Sequence, residues 1–349
     1  MAPAPFAIDV AAGADVPDVQ ALARFFASQT GEPAASIQPR LEWQARNPSR
    51  SPEIPPVICA RLPSGEIAGA MLCIPHRLER QSVRQTALMS SGFYVDRSIR
   101  GAGLQIFLAY RALGARYALY ATTANAVSER LWRSAGGTPL ARTEYEWLHP
   151  IAWPPVVEEM LVRRMGKGVA PLARLVALAR PIGREGFSGA RGELTPVDRP
   201  EDAVIASASS DLQPVRDAAF IRWRFFDAPQ ADGVVYRYRD GVTGADGFVA
   251  ITSSRRGYRH QLRTISLADM WGAIPADAFP ALLSAIGRRH RASADLIAIR
   301  CVPDAYERGA ERAGFRRRAF EYPIGWCVDP RGVLGPGPVL MPPAATELV

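Results

Sequence analysis

The stretch Val95-Asp96-Arg97-Ser98-Ile99-Arg100-Gly101-Ala102-Gly103-Leu104 carries the most specific chemistry in the chain. An apolar run ends at Val95 and a helix-periodic segment follows from Ala102, so two glycines and an arginine fall in a strand-to-helix turn. Glycine lets the backbone bend tightly and lets a ligand approach it closely. The first amide hydrogens of a helix have no intrahelical acceptor, and the helix dipole adds partial positive charge there. Arg100 puts a full charge on the rim. Together these groups suit a phosphate or pyrophosphate, each exposed charge–dipole interaction contributing about 0.3–1 kcal/mol.

Other residues able to do chemistry are sparse. Glu144 and Glu146 alternate with Tyr145 and Trp147 on an expected late strand and would share a face. His76 follows an apolar strand and either reaches a cleft or caps a turn; Ser90 and Ser91 offer hydrogen bonds. No general base or general acid is assigned from these. The four cysteines (Cys59, Cys73, Cys301, Cys327) show no Cys-x-x-Cys spacing, and the histidines at 76, 149, 260 and 290 sit singly. Neither a metal site nor a disulfide frame is expected.

The elements that must position the turn recur. Leu41-Glu42-Trp43-Gln44 resembles Ile221-Arg222-Trp223-Arg224, with the tryptophans 180 residues apart. Gly69 has a partner in Gly247 and Ala135-Gly136 in Ala313-Gly314, both at 178, and Glu144-Tyr145 recurs as Glu321-Tyr322 at 177. Four pairings in order at a nearly constant offset imply two copies of one fold. The first copy reads as strand 6–10, helices 16–29 and 37–45, strands 57–61, 66–74 and 86–95, helix 102–113, strand 117–122, helix 125–135 and a strand or two reaching 148. In helix 102–113 the apolar stripe is taken as Leu104, Phe107, Leu108 and Leu113. The expected class is α/β (α+β): two tandem domains, each a mixed, mostly antiparallel sheet flanked by helices. The domains are 1–150 and 192–330, joined by a basic helical linker, 151–191, and followed by a Pro/Gly-rich tail, 331–349.

The turn resembles the signature of the GNAT superfamily of acetyl-CoA-dependent N-acetyltransferases, Arg/Gln-x-x-Gly-x-Gly/Ala after the fourth strand. Arg100, Gly101, Ala102, Gly103, Leu104 and Gln105 occupy it, with Gln105 in place of the usual small residue. The family's later Asn-x-x-Ala-x-x-Leu-Tyr-x-x-x-Gly-Phe helix is echoed by Asn125, Ser128, Leu131, Trp132, Gly136 and Gly137. The resemblance covers about 1–150 and reaches 192–330 only through the repeat. It implies that the amides of the turn hold the CoA pyrophosphate, and that the preceding strand splays from its neighbour. Tyr94 and Val95 would then line the pantetheine arm, one N–H polarising the thioester carbonyl. Asn125 and Ser128 would face the cofactor; a helix N-cap and a packing residue are the alternative for that pair. The acid position of the family holds Trp132, whose indole is no acid at neutral pH.

Moving Arg100 by 178 lands on Ala278, inside Ile274-Pro275-Ala276-Asp277-Ala278-Phe279, where neither glycine nor arginine occurs. The second copy should therefore not bind CoA in this way and is a degenerate GNAT-like domain. Trp223, Arg224, Phe225 and Phe226 read as an aromatic core segment matching Trp43, or as a platform for a sugar or base. The expected activity is transfer of an acyl group, acetyl in the first instance, from acyl-CoA to an amine on a small molecule, sugar or peptide. The alternatives are a non-catalytic anion- or CoA-binding scaffold and a Fem-type aminoacyltransferase.

Composition bounds these readings. The 349 residues carry a net charge of +8, and Lys167 is the sole lysine among 42 positive residues. The arginines are spread along the chain, so nucleic acid is not an expected partner. Segment 151–191 holds seven positive and three negative residues, and a basic helix within 156–180 could make weak contact with an anionic membrane. No run approaches a membrane span and the first residues lack a basic leader, so a cytoplasmic location is expected; tandem chains of this sort resemble bacterial proteins linked to cell-surface polysaccharide assembly.

Overall fold

The computed structural model describes residues 6–11, 18–99, 101–165, 192–205, 212–229, 233–256, 262–330, 332 and 334. Its chain forms two compact units built from interleaved segments: Met1–Glu144, Ala206–Gln230 and Glu321–Val349 in the first, Tyr145–Ile205 and Ala231–Phe320 in the second.

In the first unit the strand order is Ala7–Val10, Val57–Arg61, Ile67–Arg80, Val83–Val95, Ala118–Ala121, Trp326–Val328, Thr138–Pro139, with Gln213–Pro214 beside the end of Ile67–Arg80. Every pairing is antiparallel except Val83–Val95 with Ala118–Ala121. Alternation along Ile67–Arg80 sends Leu72, Ile74 and Leu78 to one face and Met71 and Cys73 to the other. Helices Val19–Thr30 and Ala34–Ala45 cover the first face through Leu22, Phe26, Ile37 and Leu41. Ala102–Ala112 and Ala126–Ser134 cover the second through Ile106, Phe107, Tyr110 and Trp132. Local chemistry sets the ends: the Asp18 carboxylate accepts from the Ala21 amide to start the first helix, and Gly31, at φ 78°, closes it.

The stripe on helix Ala102–Ala112 differs from the sequence expectation. The buried side is Ala102, Ile106, Phe107 and Tyr110, while Leu104 and Leu108 are 47% and 41% exposed. The helix comes so close to the sheet at Gly69, where a Cβ would lie 2.8 Å from the Ile106 Cδ1, that its orientation follows this approach rather than the longest apolar side chains.

The second unit repeats the plan. Its order is Arg316–Ala319, Tyr145–Pro150, Leu296–Arg300, Leu262–Ala273, Ala245–Arg256, Val234–Asp240, Glu193–Pro196, and Leu262–Ala273 with Leu296–Arg300 is its parallel pair. Phe279–Arg289 and Asp304–Arg312 pack on it, as does Trp153–Met165, the described part of the connecting segment. The rest of that segment, from 166 to 191, lies outside the described residues. Among the described residues no helix is long and apolar enough to cross a membrane.

The interleaving has a simple cause. Leu148 and Trp326 are repeat equivalents (326 − 148 = 178), and each belongs to the other copy's sheet: Tyr145–Pro150 pairs with Leu296–Arg300 and Arg316–Ala319, Trp326–Val328 with Ala118–Ala121 and Thr138–Pro139. The two copies exchange equivalent strands, which the linear boundaries at 150 and 192 do not express. The fold is mixed α/β, two mixed and mostly antiparallel sheets flanked by helices, in the tandem GNAT-like arrangement.

Candidate functional site

In the first unit the parallel ladder is short. Ala87, Leu88 and Met89 pair with Ala118, Leu119 and Tyr120, and beyond Met89 no further pair joins the two strands among the described residues. Ser90 to Val95 continues beside Ile67–Arg80, ending at Gly69↔Val95. The strands therefore part, and a backbone edge of Val83–Val95 is left without a strand partner. A bulge widens the gap: the register slips between Ala70↔Tyr94 and Leu72↔Ser91, with Gly92 at φ 56° taking up the extra residue. The Asp96 amide bonds the Ala68 carbonyl at 2.8 Å. Antiparallel alternation then turns the N–H and C=O of Val95 toward the unpaired edge.

The Tyr110 hydroxyl marks the point of parting. It donates to the carbonyls of Leu88, at 2.6 Å, and Tyr120, at 3.3 Å, one on each strand of the short ladder. Burial pushes this phenol well above its ordinary range, so it stays a donor. On the face covered by helices Val19–Thr30 and Ala34–Ala45, Tyr120 hydrogen-bonds His76 Nδ1. Burial, then the guanidinium groups of Arg224 and Arg50, push the His76 imidazole down to about 3, so it is neutral and a weak base at pH 7. Ser90, Ser91 and Thr122, all buried, lie beside the parting point, with Thr122 Oγ1 3.7 Å from the Met89 sulfur.

At the top of the strand, the Asp96 carboxylate accepts from the Ser98 amide and hydroxyl at 2.8 Å each, which holds it below the usual carboxylate range and shapes the turn. Gly101 sits at φ 85°, a conformation that disfavours side chains, and a Cβ there would meet nothing within 4 Å. The helix begins at Ala102 with no side-chain cap. Among the described residues nothing accepts from the amides of Gly101, Ala102 or Gly103. A Cβ on Gly103 would touch Val95 at 3.4 Å, so the turn rests on the last residue of the splayed strand. Arg100 lies outside the described residues.

The other sequence candidates separate. Tyr94 and Val95 lie on the splayed segment; the Tyr94 ring packs edge-on against Phe26 at 6.0 Å, and the same alternation turns its backbone groups toward Ile67–Arg80 rather than the gap. Leu104 is exposed in the first turn of the helix. Asn125 and Ser128 form a capping box: Asn125 Oδ1 accepts from the Val127 and Ser128 amides, and Ser128 Oγ from the Asn125 amide. Their oxygens thus serve the start of helix Ala126–Ser134. Trp132 is buried edge-on against Phe107 and Tyr110, in the core.

Glu144 and Glu146 do not share a site face. Glu144 is exposed, outside strand Tyr145–Pro150, whereas Glu146 is buried in the second unit among Arg256, Arg300 and Arg318 at 3.0, 3.1 and 2.7 Å. Burial raises its carboxyl and the three arginines more than offset that, so it stays ionised. Trp223 proves to be core: it stacks on Trp43 at 4.6 Å, and each indole donates to the other's backbone carbonyl. Sequence reading missed Tyr110 and Tyr120. Their signal was a phenol inside an apolar run, which when buried must find a partner.

A short parallel ladder that opens toward the start of a helix recurs in both units, beside a glycine turn in the first and a Pro/Asp-containing turn in the second, and this is the tandem GNAT-like fold. The solved structures it resembles agree. Saccharomyces cerevisiae N-myristoyltransferase with bound myristoyl-CoA superposes with a TM-score of 0.55 at 10% identity, over 93% of this chain and 78% of that one. A conserved protein of unknown function from Enterococcus faecalis V583, described as a probable N-acyltransferase, gives 0.53 at 12% identity, over 92% and 71%. At these identities the likeness is one of fold. No family sequence model matches the chain, and no curated protein matches it in sequence.

Proposed function

We propose that the chain is an acyl-CoA-dependent N-acyltransferase, acetyl-CoA being the first donor to test, with the reaction in the first unit. The observation that carries this reading is the continuity of the unpaired edge of Val83–Val95 with the amides of Gly101, Ala102 and Gly103, which have no acceptor among the described residues. Such a track offers amides to a diphosphate at one end and to an extended amide-bearing arm along the other. Arg100, Leu104, Asn125 and Ser128 are assigned to its rim. Gly101, Ala102 and Gly103 hold the diphosphate, Tyr94 and Val95 the pantetheine arm.

The Val95 N–H is placed to donate to the thioester carbonyl as negative charge grows on its oxygen, a role that elsewhere contributes about 10²–10³ in rate. A neutral amine attacks, the C–N bond forms, and the C–S bond breaks to release the thiolate. His76 is too weak a base to strip an ammonium, and Trp132 is in the core. The amine therefore loses its proton to water, which also reprotonates the thiolate. A lysine-like acceptor with pKa about 10.4 should show kcat/KM rising through pH 8–10. Transfer from labelled acetyl-, octanoyl- and myristoyl-CoA to a panel of small-molecule, sugar and peptide amines tests the reading. Labelled product with at least one donor supports it; binding without product across the panel leaves a CoA-binding scaffold, and neither binding nor product rejects it.

A further inference from the structure

The first unit contains a second set of buried polar groups, on Gln44 and Arg50, to which the proposed acyl-CoA track assigns no role. Gln44 is 1% exposed, yet neither its side-chain oxygen nor its nitrogen has a hydrogen-bond partner among the described residues. Arg50 Nη1 and Nη2 are likewise out of contact with solvent and without a partner there, while its Nε lies 3.5 Å from the Gln44 backbone carbonyl oxygen. Buried amides and guanidinium groups are almost always satisfied, because leaving them bare costs several kcal/mol. Burial lowers Arg50 only to about 10, so it remains a cation at pH 7. The neighbouring Cys73, pushed up to about 12 by burial, stays a neutral thiol and supplies no counter-charge. Three carboxylates of this unit are engaged by other cations: Glu32 by Arg40, Asp217 by Arg77 and Glu53 by Arg116. A second cation, Arg224, lies over the Trp43 ring and acts on the same His76 imidazole as Arg50.

We infer that Arg50, with Gln44 beside it and Arg224 nearby, is a recognition site for the carboxylate of an amino-acid-like acceptor. The guanidinium fork matches a planar carboxylate with two parallel hydrogen bonds. Its position agrees with an acceptor role. His76 and Tyr120 stand on the sheet face opposite the helix that carries the glycine turn, and Tyr120 closes the parallel ladder where the strands part. The inference rests on the acyl-transfer reading only in making the carboxylate part of the acceptor.

Thermal-shift and calorimetric titration of the full chain with glycine, L-alanine and L-glutamate, each beside its methyl ester, tests it without CoA. The free acids should raise Tm and the esters should not. Arg50→Gln should weaken the free-acid response at least tenfold and leave the acetyl-CoA response intact. Gln44→Leu removes an unpartnered buried amide, so that variant should be as stable as the parent or more so while binding the acids severalfold more weakly. It keeps the test alive if Arg50→Gln does not fold. Equal responses to acid and ester, or an acid response surviving both substitutions, would overturn the inference. So would an equal response to sodium phosphate or chloride, the mark of an adventitious ion only, or no response to any acid because water alone fills the site. Loss of the acetyl-CoA response with the acid response retained would instead reject the proposed function.

Discussion

The strand-to-helix turns of the two units occupy equivalent places, after a strand that has left its parallel neighbour, and end in opposite chemistry. In the first, Gly101 at φ 85° opens onto free space and the next amides have no acceptor among the described residues. In the second, the Ala278 and Phe279 amides bond back to Pro275 and Ala276, at 3.0 and 3.4 Å, and Pro280 has no N–H. Ala278 is an ordinary right-handed residue, and Asp277 beside it adds a negative charge. At the end of the ladder the contrast repeats. Hydroxyls of Tyr110 and Thr122 stand there in the first unit; in the second, Arg300 follows the last parallel pair and binds Glu146. A splayed sheet is therefore only a frame. Whether it takes an anion depends on a few amides and the charges beside them.

That contrast can be broken in graded ways. Gly101→Val forces a β-branched residue into a left-handed conformation and displaces the amides, so acyl-CoA affinity should fall by about 100-fold or more, whereas Asp277→Ala at the surface of the second unit should leave it unchanged; titration calorimetry reads both. Glu146→Gln leaves three guanidinium groups without their buried counter-charge and should cost about 3–5 kcal/mol in denaturant melts. Tyr110→Phe unpins the ladder, with an expected loss of about 1–3 kcal/mol and a lower kcat at little change in the acyl-CoA Kd.

His76 gives a smaller, pH-dependent effect. Its folded imidazole titrates near 3 and the unfolded one near 6.5, so between these values the unfolded state holds more protons and stability falls as pH drops. The slope is at most about 1.4 kcal/mol per pH unit, and melts of His76→Gln from pH 7 to 4 should be flatter than the parent's. Leu104→Ser and Leu108→Ser, on the exposed side of their helix, should stay within about 0.5 kcal/mol, where a core stripe would lose several.

Much of this was legible beforehand. The 178-residue repeat and the hydrophobic periods place nearly every element of the first copy; Val57–Arg61 agrees to the residue, and Ala102–Ala112 differs by one. The turn is readable because glycine and proline act locally, through backbone conformation. What escaped depends on distant partners. The exchange of Tyr145–Pro150 for Trp326–Val328 has no local signature, since either strand suits either sheet. Strand alternation puts Glu146 on one face with Glu144 but is silent on Arg256, Arg300 and Arg318, more than 100 residues away, which enclose it. The amphipathic face of Ala102–Ala112 was misjudged because Gly69, on a different strand, sets how the helix lies.

The central claim is that the amides around Gly103, without an acceptor among the described residues, hold the diphosphate of an acyl-CoA. Calorimetric titration of CoA into the parent chain and into Gly103→Asp tests it most directly, because Asp sets a negative charge on those amides while the backbone there, in ordinary contact with Val95, has room for a Cβ. One saturable site in the parent, lost in a variant that melts within a few degrees of it, is the predicted result. Equal affinity in the two proteins would contradict the account.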